Sequence, residues 1–361
     1  MRKLIPSSIA CLIFVILASE YLLAQGVTVP RTPSPAAKIS QTVGISTVTV
    51  TYSRPSVKGR EIWGKLVPYG WSVQGASKEA PWRAGANENT VIEFSHDATV
   101  QGKAVPAGSY GLFFVINKDN SGEVVLSKDY KSWGSFFYDA SRDMLRAPIQ
   151  IRDGAPAELL TYNFINLDKN SAELVLNWEK KEFPVSIKYA VDEIVLANAK
   201  DELKGPLGFS WQGYASAANY SLQNKVGLED AGKWIDQAVA QNKSFGTLII
   251  KSALLKEKGN NAEAEKIKSD ALAIATEAEL NNYGYQLLLQ SQIDPAIEIF
   301  KLATERFPKS PNAWDSLGEG YAVKGDSKNA VASFKKSLGM NPPENVKANS
   351  EKFLKQLGAM K

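Results

Sequence analysis

The feature of this 361-residue chain that most constrains its fold is a change in the spacing of its apolar residues close to residue 190. Before this point, apolar and polar residues alternate over short segments rich in β-branched and aromatic side chains. After Val191, apolar residues recur every three or four positions. Alternation is typical of half-buried strands, and the longer period is typical of amphipathic helices. The sequence therefore predicts a β domain followed by an α-helical domain.

The N-terminal half contains seven predicted strands, namely Thr47–Tyr52, Val91–Phe94, Ser109–Ile116, Glu123–Leu126, Pro148–Ile151, Leu159–Phe164 and Ala172–Trp178. Glycine, proline, asparagine and aspartate occupy the gaps between them. Because no helix-length segment separates these strands, the pattern favours an antiparallel β-sandwich or jelly-roll-like domain. We place this all-β domain at residues 38–200, with a helical stretch from Val191 to Lys204 at its end.

The C-terminal half, residues 206–361, repeats with a period of 34 residues. The segment from Trp314 to Tyr321 matches the pattern W-x₂-L-G-x₂-Y of the tetratricopeptide repeat. The later positions of the same signature hold Ala330, Phe334 and Pro342. One period earlier, positions of the whole signature hold Leu280, Gly284, Leu287, Ala296, Phe300 and Pro308. We therefore expect tetratricopeptide-like repeats, clearest at 277–310 and 311–344.

Small residues at the glycine and alanine positions should let the two helices of each repeat approach closely, while the phenylalanine fills the gap between neighbouring repeats. Upstream, Trp211–Leu222 pairs with a helix around Ala231, and Phe245–Lys256 pairs with Ala262–Ala278. A capping helix is expected after Pro343. The sequence thus predicts about four helical hairpins.

The N-terminus resembles a secretory signal peptide over residues 1–24. Basic residues at positions 2 and 3 precede an apolar run from Ile9 to Ala18, and cleavage is expected after Ala24. A transmembrane anchor is the alternative, but the run is shorter than the roughly 20 residues that a spanning helix needs, and Glu20 interrupts it. Residues 25–37, with three prolines, are a predicted linker. We expect a periplasmic, extracellular or cell-envelope protein without a stable membrane span after cleavage.

Composition excludes several classes of function. The net charge of +4 is too small and too dispersed for nucleic-acid binding. One cysteine and one histidine exclude thiolate zinc sites and leave little for histidine-based catalysis, so no cofactor and no metal is expected. Gly59–Leu66 nearly matches a phosphate loop but has Leu66 where a hydroxyl is required. His96 lies beside Asp97 without a nucleophile motif, which favours a surface histidine.

Arginine is concentrated in the β half, at Arg54, Arg60, Arg83, Arg142, Arg146 and Arg152, against Arg306 alone in the helical half. The planar guanidinium is preferred where a carboxylate or phosphate is bound through two hydrogen bonds. Several of these arginines lie in three loop segments rich in glycine and aromatic residues, namely 53–60, 81–90 and 130–146. The candidate ligand-binding residues are Arg54, Lys58, Arg60, Trp82, Arg83, Asn87, Glu88, Tyr138, Asp143 and Arg146. The alternative is structural, with the arginines paired to Glu61, Glu88, Asp139 and Asp143.

These loop segments resemble the domain-of-unknown-function 2911 family. The resemblance is carried by ordered motifs at Arg54–Arg60, Gly64–Gly70, Trp82–Thr90, Pro106–Phe113, Trp133-Gly134 and Asp143–Arg146, and it covers roughly residues 36–190. One departure is an insertion at Trp71–Ala80. The resemblance implies an exported bacterial protein, in some members followed by tetratricopeptide repeats, and it implies no established activity.

The sequence thus favours an exported binding protein that is not an enzyme. The β domain would hold an anionic or carbohydrate ligand, or a peptide, in its Arg/Trp/Asn loops, and the helical repeats would bind a protein or peptide. One alternative is a hydrolase that acts on glycans through carboxylates such as Glu88 and Asp143. Another is a scaffold in which the β domain is only a spacer. No catalytic residue can be assigned.

Overall fold

The computed structural model describes residues 33–361. The predicted signal peptide and residues 25–32 of the predicted linker lie outside this range. The chain divides into two units, and the boundary along the sequence lies between Ile194 and Val195. No helix in the described range is both long and apolar enough to cross a membrane.

The first unit contains twelve strands within the described residues. They are β1 (Ala36–Val43), β2 (Ser46–Ser53), β3 (Ser72–Gln74), β4 (Ser77–Ala80), β5 (Val91–Phe94), β6 (Ala98–Val100), β7 (Lys103–Val105), β8 (Gly108–Ile116), β9 (Ser121–Ser127), β10 (Asp143–Gln150), β11 (Arg152–Ile165) and β12 (Ser171–Lys188). A six-stranded sheet has the order β1-β2-β5-β8-β9-β10, and a four-stranded sheet has the order β11-β12-β6-β7. All pairings in both sheets are antiparallel.

Strand β1, which was not among the seven predicted strands, begins two residues before the predicted start of the β domain. Ala36 and Ala37, which were assigned to the linker, pair with Ser53 and Tyr52 of β2. The short ribbon β3–β4 is formed by residues of the Trp71–Ala80 insertion.

The two sheets pack face to face through aromatic side chains. The rings of Tyr52 and Tyr162, from opposite sheets, lie 4.7 Å apart, and those of Phe114 and Phe183 lie 5.1 Å apart. The hydroxyl of Tyr52 also accepts a hydrogen bond from the backbone N–H of Tyr162 at 3.2 Å. Strand β8 is buried from Tyr110 to Ile116, as a central strand covered on both faces should be. The predicted antiparallel sandwich is confirmed.

Ten α-helices follow within the described residues. They are α1 (Val191–Glu202), α2 (Trp211–Asn224), α3 (Leu228–Gln241), α4 (Phe245–Glu257), α5 (Asn261–Ile274), α6 (Glu277–Leu289), α7 (Ile293–Arg306), α8 (Pro311–Lys324), α9 (Ser327–Leu338) and α10 (Glu344–Gln356). From α2 onward they form four consecutive pairs and a final helix, which confirms the predicted array.

The predicted helix over Ala262–Ala278 is wrong at its C-terminal end. Helix α5 ends at Ile274, and α6 begins at Glu277. The break is set by a capping box, in which the Thr276 hydroxyl accepts from the Glu279 N–H at 3.3 Å and the Glu279 carboxylate accepts from the Thr276 N–H at 2.8 Å. These bonds satisfy backbone donors that a continuous helix would have used internally.

The repeat packing confirms the expected roles of glycine and phenylalanine. A Cβ added at Gly284 would overlap the Phe300 ring of the same repeat, and one added at Gly318 would lie 2.7 Å from Phe334. Phe300 also reaches the next repeat, where a Cβ at Gly320 would lie 3.1 Å from its ring. Each phenylalanine is fully buried. The helices can therefore approach this closely only because the facing positions lack side chains.

We predict that Gly318→Ala destabilises the helical unit. The added methyl group must displace the Phe334 ring, and overpacking of this kind costs about 1–3 kcal/mol. The measurement is urea unfolding of the full chain followed by helical circular dichroism. Gly246→Ala in α4 is the matched control, because a Cβ there meets nothing within 4 Å; it should be neutral or stabilising by up to about 1 kcal/mol. Equal effects of the two substitutions would contradict the packing account.

Candidate functional site

The β unit contains a cavity of about 530 Å³ at which separate loops converge. Its lining comprises Pro33, Ser34, Pro55, Ser56, Lys58, Arg60, Leu66, Val67, Gln74, Trp82, Arg83, Gly85, Ala86, Asn87, Trp133 and Trp178. All three loop segments singled out from the sequence contribute to it. Five of the predicted ligand-binding residues are among the lining residues: Lys58, Arg60, Trp82, Arg83 and Asn87.

The charge of this lining is one-sided. Among residues 33–361, it contains three cations and no aspartate or glutamate. Lys58, Arg60 and Arg83 form no ion pair within residues 33–361, whereas Arg142, Arg146 and Arg152 all pair with carboxylates. The Arg60 guanidinium donates instead to the backbone carbonyls of Ser56 and Val57. The cavity is therefore an electropositive pocket.

Arg83 is the most buried of these cations. Its guanidinium is half-buried, donates to the Asn87 carbonyl and lies 5.5 Å from the centre of the Phe136 ring. Burial lowers the pKa of the Arg83 guanidinium, because the charged form loses hydration. Its contacts in the described part of the chain fix the side chain without supplying a counter-charge. An anion that entered the cavity would supply one.

Tryptophan forms much of the apolar surface of the cavity. Trp82 stacks on Trp178 with ring centroids 5.7 Å apart and an interplanar angle of 13°. The edge of Trp63 packs against both of them. At the opening, Leu66 and Trp133 are 48% and 50% exposed. The indole N–H of Trp178 is buried without a hydrogen-bond partner in the described residues.

The loop at 84–87 carries an unusual backbone. Ala84 and Asn87 have positive φ angles of 52° and 62°, a region that is costly for alanine. Two hydrogen bonds stabilise the strained turn: the Ala84 carbonyl accepts from the Tyr162 hydroxyl at 2.9 Å and from the Thr90 hydroxyl at 3.0 Å. No acceptor within residues 33–361 pairs with the backbone N–H groups of Gly85, Ala86 and Asn87, all of which line the cavity. These donors add to the positive potential of the pocket.

Arg54 and Glu88 are not among the lining residues. Arg54 bridges the two sheets, since its Nε donates to the Leu160 carbonyl at 3.0 Å and its Nη2 donates to Thr161 at 2.6 Å. Glu88 is exposed. Arg54 therefore has a structural role that its loop position did not reveal.

Tyr138, Asp143 and Arg146 form a separate cluster. The Asp143 Oδ2 accepts from the Tyr138 hydroxyl at 2.6 Å and from the Arg146 guanidinium, which stacks over the Trp71 ring at 4.3 Å. The Asp143 side chain is only 9% exposed. Burial raises the pKa of the Asp143 carboxyl against the lowering effect of these two hydrogen bonds. Asp143 is one of the four carboxylates predicted to pair with arginines, and it does form an ion pair with Arg146.

The carboxylate pair considered for hydrolysis is not assembled at the cavity. Glu88 and Asp143 are both absent from the lining, and Asp143 is held by Tyr138 and Arg146. No group of three or more histidine, cysteine, aspartate or glutamate residues in the described chain could hold a metal ion. His96 lies at the end of β5 with its Nδ1 3.0 Å from the Ser95 hydroxyl.

Three important lining residues were absent from the predicted site. Trp133 lies within a loop segment already singled out, but Gln74 and Trp178 come from the inserted ribbon and from strand β12. The alternation of β12 identifies Trp178 as buried but cannot reveal which loops pack against it.

The helical unit carries a polar ladder at positions 34 residues apart: Asn281, Asp315 and Asn349, on the first helices of successive repeats. The Asn349 amide donates to Asp315 at 2.8 Å and to Glu319 at 2.6 Å, and the Ser350 hydroxyl also donates to Asp315. Burial raises the pKa of both carboxyls, opposed by these hydrogen bonds. The Oδ1 atom of Asn281 is buried without a partner in the described residues.

Residues 34–187 match one family model. Its description is "Protein of unknown function (DUF2911)". The resemblance drawn from the loop motifs is confirmed over this range. No curated protein matches the chain.

Several solved structures resemble part of the chain. YrrB, described as a tetratricopeptide protein with an unusual peptide-binding site, has 18% identity and a TM-score of 0.27, over 44% of this chain and 83% of that one. PilF of Pseudomonas aeruginosa has 20% identity and a TM-score of 0.26, over 42% and 71%. MamA has 19% identity and a TM-score of 0.26, over 40% and 86%.

Proposed function

We propose that this chain is an exported binding protein whose β unit binds an anionic ligand in the Arg83 cavity. The single observation that carries this proposal is the Arg83 guanidinium, half-buried beside the Phe136 ring without a carboxylate partner in the described chain. Burying a charge without a counter-ion is unfavourable, so such a group is typical of sites that receive the opposite charge from a ligand.

Two further features support ligand binding over a structural role. The volume of about 530 Å³ lies within the range of roughly 300–1,000 Å³ usual for small-molecule sites. The left-handed conformations of Lys58 and Asn87 at the lining concentrate backbone strain there, as functional loops often do.

The lining favours binding over hydrolysis. The lining residues that the structure describes include no aspartate, glutamate, histidine or cysteine. Glycoside hydrolysis through carboxylates requires two such groups beside the scissile bond. We therefore assign the cavity a binding role.

We predict that Arg83→Gln abolishes anion binding while the fold survives. Thermal unfolding would be followed with and without a panel of phosphate, citrate, galacturonate and a nucleoside monophosphate. At least one anion should raise the unfolding temperature of the native chain, because a ligand that binds only the folded state stabilises it. Arg152→Gln is the matched control, since it removes an arginine that pairs with Glu173 and Glu182 outside the cavity. The proposal fails if no anion has an effect, or if Arg83→Gln responds as the native chain does.

We further propose that the helical unit binds a segment of a protein partner along its polar ladder. The ladder repeats at the same position of successive repeats, so its side chains lie along one side of the array. Its amides, together with the half-buried Glu319 carboxylate beside Asn349, can bond an extended backbone or a basic side chain. Asp315, in contrast, is buried and holds Asn349 and Ser350 in place.

Glu319→Lys should prevent partner capture, because it reverses the charge beside Asn349 and Asp315. Affinity purification from cell-envelope extract, with mass spectrometry of what is retained, measures this. Glu305→Lys on α7 is the control, since Glu305 is exposed and lies outside the ladder. Circular dichroism verifies that both variants fold. Retention of the same partners by both variants would refute the assignment of the ladder.

A further inference from the structure

We propose that the ligand of the Arg83 cavity is an acidic oligosaccharide, a chain of at least two sugar rings that carry carboxylates. This inference rests on the proposed anion-binding function and narrows it to one chemical class. Three features of the lining lead to it: the arrangement of the cations, the indole surfaces, and the neutral polar side chains.

The first carboxylate is assigned to Arg83 and the adjoining loop. The guanidinium offers a planar fork that matches a carboxylate. The backbone N–H groups of Gly85, Ala86 and Asn87 have no acceptor within the described residues, and they belong to the loop that also provides the Asn87 carbonyl to Arg83. A carboxylate bound beside this loop would accept hydrogen bonds from these N–H groups and would neutralise the half-buried charge of Arg83.

The second acidic group is assigned to Lys58 and Arg60. They lie on a different loop from Arg83, and neither side chain forms an ion pair in the described residues. The Glu158 carboxylate does bond to this loop, where it accepts from the backbone N–H of Lys58 at 2.9 Å. The Arg60 guanidinium is oriented by the carbonyls of Ser56 and Val57, so it is already held in place before a ligand arrives. Two separate cationic loops favour a ligand with spaced charges over a single compact anion.

The aromatic part of the cavity lining suits sugar rings. Trp82 and Trp178 provide an apolar surface, and Trp133 lies half-exposed at the opening, where it can cover the C–H face of a ring. Gln74 and Asn87 add amides that both donate and accept, which is what ring hydroxyls require. A purely aliphatic polyacid would leave these amides without partners.

The test is calorimetric titration of the full chain with trigalacturonate. The matched ligand control is its fully methyl-esterified form, which keeps the rings but removes the charges. A nucleoside monophosphate and inorganic phosphate provide the other anions. The protein variants are Arg83→Gln, Lys58→Gln and Trp133→Ala, with Arg152→Gln as the control outside the cavity.

We expect trigalacturonate to bind, and Arg83→Gln and Trp133→Ala each to weaken it by about tenfold or more. Lys58→Gln should weaken the trimer more than monomeric galacturonate, because only the trimer reaches the second cationic loop. The methyl ester should bind at least about tenfold more weakly than the acid, and Arg152→Gln should bind normally.

Two results would overturn the inference. Equal affinity for the acid and its ester would show that charge does not select the ligand. Binding of phosphate or the nucleotide that depends on Arg83, without binding of trigalacturonate, would refute the sugar assignment and leave the anion-binding function intact. If no anion binds in an Arg83-dependent way, the proposed function itself fails.

Discussion

Contacts within residues 33–361 hold the Arg83 guanidinium inside the β unit, and none of them is with a carboxylate. This guanidinium donates to the Asn87 carbonyl, lies against the Phe136 ring and packs on Gly134, where an added Cβ would overlap the guanidinium. A nearby aspartate would have removed the cost of burying the charge. Arg146 shows that this chain does make such pairs, since it binds Asp143 a short distance along the sequence. The buried charge of Arg83 lowers the stability of the β unit. Proteins commonly keep such a destabilising group where it is needed to bind a ligand.

The rest of the β unit positions this arginine. The sandwich places Tyr162 below the strained turn at Ala84, where its hydroxyl bonds the turn's carbonyl. The loop that carries Trp133 is joined to the Arg83 loop by the Ser135 hydroxyl, which donates to the Pro81 carbonyl, and by Asn89, which donates to the Asp129 carbonyl. Loops joined in this way form a preorganised site, which lowers the entropic cost of binding a ligand.

The sequence allowed much of the fold to be predicted, because the decisive signals are local. Alternation identified the main strands, and the 34-residue spacing of Gly284 and Gly318 identified the repeats together with the reason for their close packing. The break at Thr276 was missed because the apolar period continues across it, while the capping box that ends the helix uses side-chain hydrogen bonds.

The candidate site could be predicted only in part. Local composition identified the three loops, and these do converge on the cavity. It could not separate Arg83, which lacks an acidic partner in the described chain, from Arg146 and Arg54, whose partners are Asp143 and the strand β11. Arg54 and its partners in β11 are more than a hundred positions apart, and Trp178 comes from strand β12. Such pairings depend on how the sheets pack, which no local pattern encodes.

The most direct test of the central claim needs no ligand. It is the free energy of unfolding of Arg83→Met in the full chain, from urea titrations at neutral pH. Methionine replaces the aliphatic part of the arginine side chain and removes the buried charge. We expect the free energy of unfolding of the β unit in Arg83→Met to equal or exceed that of the same unit in the native chain. A loss of about 2 kcal/mol or more would mean that Arg83 is a structural cation, and it would contradict the claim that its charge is reserved for a ligand.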